Sequence, residues 1–101
     1  MHFLLFYTYV PDILERRAPF RAGHLKLAWE AKDRGELILG GALTEPVDTG
    51  VLLFKADSKD VIEKFVAADP YIKGGLVSKW SVRQWMTVVG DDASNPIRPE
   101  A

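Results

Sequence analysis

The run Phe3-Leu4-Leu5-Phe6-Tyr7-Thr8-Tyr9-Val10 constrains this chain most, because it is largely apolar on both faces of a strand. Its β-branched and aromatic residues favour extended backbone. Side chains alternate along a strand, so Phe3, Leu5, Tyr7 and Tyr9 point one way and Leu4, Phe6, Thr8 and Val10 the other. A strand with apolar side chains on both sides has to be covered on both. The run is too short to cross a membrane and carries no basic leader or small-residue cleavage site, so we expect no membrane partner and a cytoplasmic protein.

Pro11-Asp12 breaks the strand, and the chain turns helical from Ile13. Pro19 either opens a second helical piece in its first turn or kinks a longer helix. Leu25, Ala28 and Trp29 form one apolar stripe, and Gly35 ends the element after Lys32 and Arg34. Two short strands follow, Glu36–Ala42 and Val51–Ala56, joined by the turn-forming run Thr44–Gly50. A second helix, capped by Asp57 or Ser58, carries Val61, Ile62, Phe65 and Val66 at helical spacing. Asp69 continues that stripe, but Pro70 disfavours helical geometry there, so the helix should stop at Asp69. Gly74-Gly75 then permits a tight turn into a strand over Leu76–Val88. Residues 1–90 make one domain. The polar, Pro-bearing residues 91–101 lack an apolar period and are expected to be a mobile tail, or an arm lying on a neighbour.

The element order is βαββαβ. Two such units with right-handed crossovers give an α+β fold of ferredoxin-like type, a four-stranded antiparallel sheet with two helices on one face. Those helices leave the other face of the first strand uncovered, and no segment remains to cover it. A homodimer packed through the open sheet face is the economical solution. Trp85 or Trp80, depending on the face, would sit in that interface, and the tryptophans read as core or interface residues.

Composition removes several functions. The net charge is −1 and the basic residues are scattered, which argues against a nucleic-acid surface. Val51–Ala56 also lacks the basic-aromatic stacking pattern of an RNA-recognition sheet. There is no Cys, hence no thiol nucleophile and no disulfide. Two distant histidines without Cys make a poor ligand set, so we expect no metal and no cofactor.

His2 opens the first strand and reads as an exposed residue. His24 has Leu27, Ala28 and Ala31 as helical neighbours, which places it on a face of low polarity. Two readings stand for it: an imidazole satisfied in the core, or a general base. A buried imidazole needs a hydrogen-bond partner, and a carboxylate would also fix its tautomer. Asp69 is the carboxylate at the edge of the other helix's apolar stripe. A His–Asp pair is a working unit for removing a proton without a cofactor. With the two helices taken as nearly parallel, His24 comes level with Asp69 only if its helix begins near Ile13, roughly 16 Å before it. A start at Pro19 would leave His24 one or two turns in and move the pairing across the dimer.

Leu14-Glu15-Arg16-Arg17 with Phe20-Arg21-Ala22-Gly23-His24-Leu25, the Gly35 to Gly40-Gly41 strand, and Ala68-Asp69-Pro70-Tyr71 with Gly74-Gly75-Leu76 resemble the YCII-related (YciI-like) family over roughly residues 1–88. The resemblance implies a ferredoxin-like subunit that dimerises as an α/β barrel, with an active site built on a His–Asp pair that maps onto His24 and Asp69. The family is similar in fold to muconolactone isomerases and includes a dehydrochlorinase acting on a hydroxylated chloroaromatic; most members have no assigned reaction.

Three function classes suit such a domain, and the charge and strand pattern above exclude the RNA-recognition type. The first of the two that remain is a cofactor-independent lyase or isomerase on a small polar molecule. In it His24 takes the proton, Asp69 orients and stabilises the imidazolium, and Arg21 or Tyr71 holds the developing oxyanion. Arg21 lies three residues before His24 on the same helical side, and Ser81, on the polar face of the last strand, is a weaker substrate-binding candidate. The second is a small-ligand-binding or regulatory domain with the same pocket and no turnover.

Overall fold

The computed structural model describes residues 1–100. Its elements are β1 (His2–Tyr9), α1 (Ile13–Arg16), α2 (Ala18–Asp33), β2 (Leu37–Ala42), β3 (Thr49–Lys55), α3 (Asp60–Ala68), α4 (Pro70–Lys73) and β4 (Val77–Trp85). The sheet has the order β2-β3-β1-β4 with every neighbour antiparallel, a ferredoxin-like α+β fold. The doubly apolar β1 is accordingly a central strand.

Phe3, Leu5 and Tyr7 of β1 join Leu52 and Phe54 of β3 on the helix-covered face, where Ile62, Phe65 and Val66 of α3 and Ala31 of α2 pack onto them. Leu5, Phe54 and Ile62 are fully enclosed, and each such side chain contributes about 1.5–3 kcal/mol. Leu4 and Phe6 point to the opposite face and stay half-buried. Ser81 is in register with Phe6, so it too lies on the face away from the helices and is exposed.

The direction of the helices corrects the sequence reading. β1 and β3 are antiparallel, and each long helix carries the chain back from its own strand, so α2 and α3 run in opposite directions. The start of α2 therefore lies beside the end of α3. Pro19 does open its own helix, in the first turn of α2 after a break at Arg17. His24 consequently sits in the second turn, which in an antiparallel pair is the level that faces the end of α3.

α3 stops at Ala68, and Asp69 leaves helical geometry with φ −73° and ψ 121°. The chain then makes the short helix α4 and turns at Gly75, whose φ of +73° suits glycine. One further expectation is revised at the far corner of the sheet. His2 is buried, not exposed, with Nδ1 2.6 Å from the Thr87 hydroxyl. The tail folds back on the same corner: the Ser94 amide donates to Thr87 Oγ1 at 2.7 Å and the Ile97 amide to the Val88 carbonyl at 2.9 Å. Among the described residues, no helix is long and apolar enough to cross a membrane.

Candidate functional site

The site grows from one buried carboxylate. Asp69 is 0% exposed, and enclosing a charge is costly unless it is well hydrogen-bonded. Three donors meet it. The Tyr7 hydroxyl donates to Oδ2 at 2.7 Å, the Tyr71 amide donates to Oδ1 at 3.0 Å, and His24 Nδ1 lies 2.8 Å from Oδ1 and 3.0 Å from Oδ2. The Tyr71 bond is also the N-cap of α4, so the turn that ends α3 and the carboxylate's placement have one cause.

An ionised carboxylate only accepts, so Nδ1 carries the proton in this contact and Nε2 keeps a lone pair. The His24 side chain retains 12% exposure and lines a cavity, whereas Asp69 lies wholly behind it. Gly23 makes the approach possible. A Cβ at that position would come within 3.1 Å of Pro70 Cγ, so the bare backbone lets α2 close on α4 beside the histidine. Tyr71 then stacks flat on the imidazole, with ring centroids 3.8 Å apart and planes 5° from parallel.

Tyr9 meets the rings of both Tyr7 and Tyr71 edge-on, at 6.4 and 6.3 Å. Burial pushes the Tyr7 hydroxyl far above the ordinary phenol range, and the charge of Asp69 adds to it. Tyr9 is pushed up to about 12, by burial first and then by Tyr71 and Asp69. Burial also raises Tyr71, while Arg17 and Arg21 pull it back. All three phenols are protonated donors at neutral pH.

The cavity measures about 270 Å³ and lies between α2 and β2, with Arg17, Arg21, His24, Leu25 and Trp29 on one wall and Leu37–Ala42 on the other. Of the residues predicted from sequence, His24, Asp69, Tyr71 and Arg21 come together here, although Asp69 is behind the wall. Ser81 does not, because its register puts it on the other side of the sheet. Tyr7, Tyr9 and Arg17 join them. In the sequence Tyr7 and Tyr9 are indistinguishable from an apolar strand face. The sequence signal for Arg17 is its place four residues before Arg21, the spacing of one helical face. Among the described residues, no three His, Asp or Glu side chains converge as a metal-ligand set.

The sequence model of the YCII-related domain matches residues 1–86. Among solved structures, the chain is similar to 5-chloro-2-hydroxyhydroquinone dehydrochlorinase from Burkholderia phenoliruptrix AC1100 in complex with 2,5-dihydroxybenzoquinone, with a TM-score of 0.75 and 26% identity over 86% of this chain and 95% of that one. A NIPSNAP family protein from Agrobacterium tumefaciens str. C58 gives a TM-score of 0.56 at 14% identity, covering 92% of this chain and 95% of its own. A further A. tumefaciens protein gives 0.56 at 10% identity, covering 92% and 96%. These last two likenesses show the fold alone. No curated protein sequence matches the chain.

Proposed function

The chain belongs to the YCII-related family, and from that membership and the site geometry we propose that it is a cofactor-independent small-molecule enzyme whose general base is a His24–Asp69 dyad. His24 Nε2 takes a proton from carbon or oxygen of a small hydroxylated ring compound in the cavity. Asp69 holds the ring by Nδ1 and stabilises the imidazolium that forms, as a carboxylate does for a histidine base. The Tyr71 hydroxyl or Arg21 stabilises the enolate-like oxygen. Expulsion of a leaving group beside the new carbanion makes the reaction a lyase step, and reprotonation at another carbon makes it an isomerisation. The similarity to a dehydrochlorinase supports the first outcome.

The observation that carries this reading is the buried carboxylate with three donors, one of them a histidine whose side chain lines the cavity. The test is solvent deuterium incorporation into small hydroxyquinones and cyclic ketones, followed by NMR. Wild type should exchange carbon-bound hydrogen at least about 100-fold faster than His24→Asn, the usual scale of general base catalysis. Binding without any difference in exchange would make the chain a ligand-binding module and overturn the enzyme.

We also propose that the open sheet face is buried in a homodimer. Leu39 is 72% and Trp85 47% exposed there, in register with the rows of Leu4 and His2. Trp85, rather than Trp80, is the interface residue, since Trp80 pairs with Tyr7 on the helix side. Light scattering at micromolar concentration should return twice the chain mass of 11.3 kDa, and a soluble monomer would refute the assembly.

A further inference from the structure

The cavity's charge pattern says more about its ligand than the dyad does. Its lining contains Arg17, Arg21 and Lys32 and no Asp or Glu. Lys32 stands 3.9 Å from Asp33 at the far end of α2 from the arginines. Arg17 and Arg21 make no ion pair among the described residues, although Arg16 and Arg34 on the same stretch of chain do. Two unpaired guanidinium groups are thus left at one end of a mostly apolar slot.

Their placement is dictated by α2. Arg17 has helical backbone, φ −72° and ψ −24°, at the boundary with α1, so Arg17 and Arg21 stand one turn apart on one face. Their Cβ atoms are then about 5–6 Å apart, close enough for both forks to reach one anionic group. The same face continues through His24, Leu25 and Ala28, which puts the base next along the slot and the apolar surface beyond it. Both arginines also act on the Tyr71 phenol, whose ring lies flat against the histidine.

We propose that Arg17 and Arg21 form an anion subsite, and that the ligand of this cavity is a small planar carboxylate whose ring lies along Leu25 and Trp29 with its acid group on the two arginines. Guanidinium and carboxylate match in shape and pair through two parallel N–H···O bonds, which a compact ammonium cannot do. The slot volume of about 270 Å³ suits one substituted ring and little more. This rests on the cavity being the substrate site of the enzyme proposed above, and it adds Arg17 as a specificity-determining residue. An acid group anchored one turn before the base leaves the ring carbons next to it as the positions nearest His24.

The subsite is tested by binding, independently of turnover. Benzoate and the neutral isostere benzamide are titrated into isotopically labelled protein at low salt, and chemical shifts are followed by NMR. Benzoate should bind wild type at least tenfold more tightly than benzamide, with the difference shrinking in salt as charge pairing is screened. Arg17→Gln and Arg21→Gln should each reduce that preference, and the double variant should abolish it while benzamide affinity holds. Lys26→Gln, which removes one positive charge from the exposed side of α2, should leave the preference intact and controls for net charge. Equal binding of the two probes, binding of neither, or a preference that survives the double substitution would overturn the subsite. His24→Asn separates the two proposals. It should keep the benzoate preference and lose deuterium exchange; exchange in wild type without any anion preference removes only the subsite.

Discussion

The layer just behind the cavity, which forms the floor beneath its lining, and the cavity's mouth are built on opposite terms. At the floor, Tyr7 and Asp69 are 0% exposed, and no buried side-chain nitrogen or oxygen among the described residues lacks a partner. At the mouth, Trp29 is 62% exposed, and among the described residues Arg17 and Arg21 have no ion-pair partner. The floor is held by the fold: its hydrogen bonds join β1, α2 and the start of α4 across 45 and 62 residues of sequence. The mouth contributes little to folding and is free to answer to a ligand. A buried network fixes one arrangement because each unsatisfied member would cost the desolvation of a polar group, whereas exposed groups carry no such penalty.

The contrast can be broken first at the floor. Asp69→Asn keeps the shape but removes the charge and gives the amide a donor where three donors already point. Any proton-transfer activity should fall about 10²–10⁴-fold, measured as deuterium exchange, with the fold retained by circular dichroism. Unchanged exchange would leave His24 acting without Asp69. A second probe is alkaline pH. The folded-state values of Tyr7, Tyr9 and Tyr71 are all raised above the ordinary 10.0, so near pH 10 the unfolded chain loses protons that the folded chain keeps. Stability is complete below pH 10 and falls as pH rises above it, by up to about 1.4 kcal/mol per pH unit for the enclosed Tyr7. Urea midpoints between pH 9 and 11.5 report this, and a flat profile would place the phenols in water.

Tyr7→Phe removes one donor from the floor and should cost about 1–3 kcal/mol in urea unfolding, because Asp69 Oδ2 loses its shortest bond. Most of the steep alkaline loss should disappear with it. Trp29→Ala sharpens the other side of the comparison. A side chain 62% exposed should change stability by no more than about 0.5 kcal/mol, while ring-compound binding by NMR weakens severalfold. A large loss of stability there would mean that the mouth also belongs to the core.

Strand and helix order were legible because β1, α3 and the Asp69-Pro70 break each carry a strong local signal. His24 and Asp69 were legible as two unusual polar residues on apolar faces. Their meeting was harder to foresee, because it depends on helix direction, a property of sheet topology rather than of either helix. The Pro19 start, read from sequence as an obstacle to pairing inside one subunit, is what sets His24 at the right level once α2 and α3 run oppositely. Tyr7 stayed hidden for another reason: on a strand apolar on both faces, a tyrosine is indistinguishable from packing until its hydroxyl finds a partner. That Ser81 lies across the sheet from the cavity was not legible, because alternation says which residues share a face but not which face the helices cover. The burial of His2 was not legible because polar residues distant in sequence, His2, Thr87 and Ser94, satisfy one another only in the folded corner.

The parallel stack of Tyr71 on His24 bears on stereochemistry. An imidazole pinned by Asp69 on one edge and by a phenol ring on one side cannot swivel, so its Nε2 lone pair has a single direction in the plane of the ring. For the base proposed here, a CH₂ group held in the slot would present one of its two hydrogens along that direction and the other away from it. The reaction would then be blind to one prochiral hydrogen, and a substrate deuterated at a single such position would keep or lose its label according to hand.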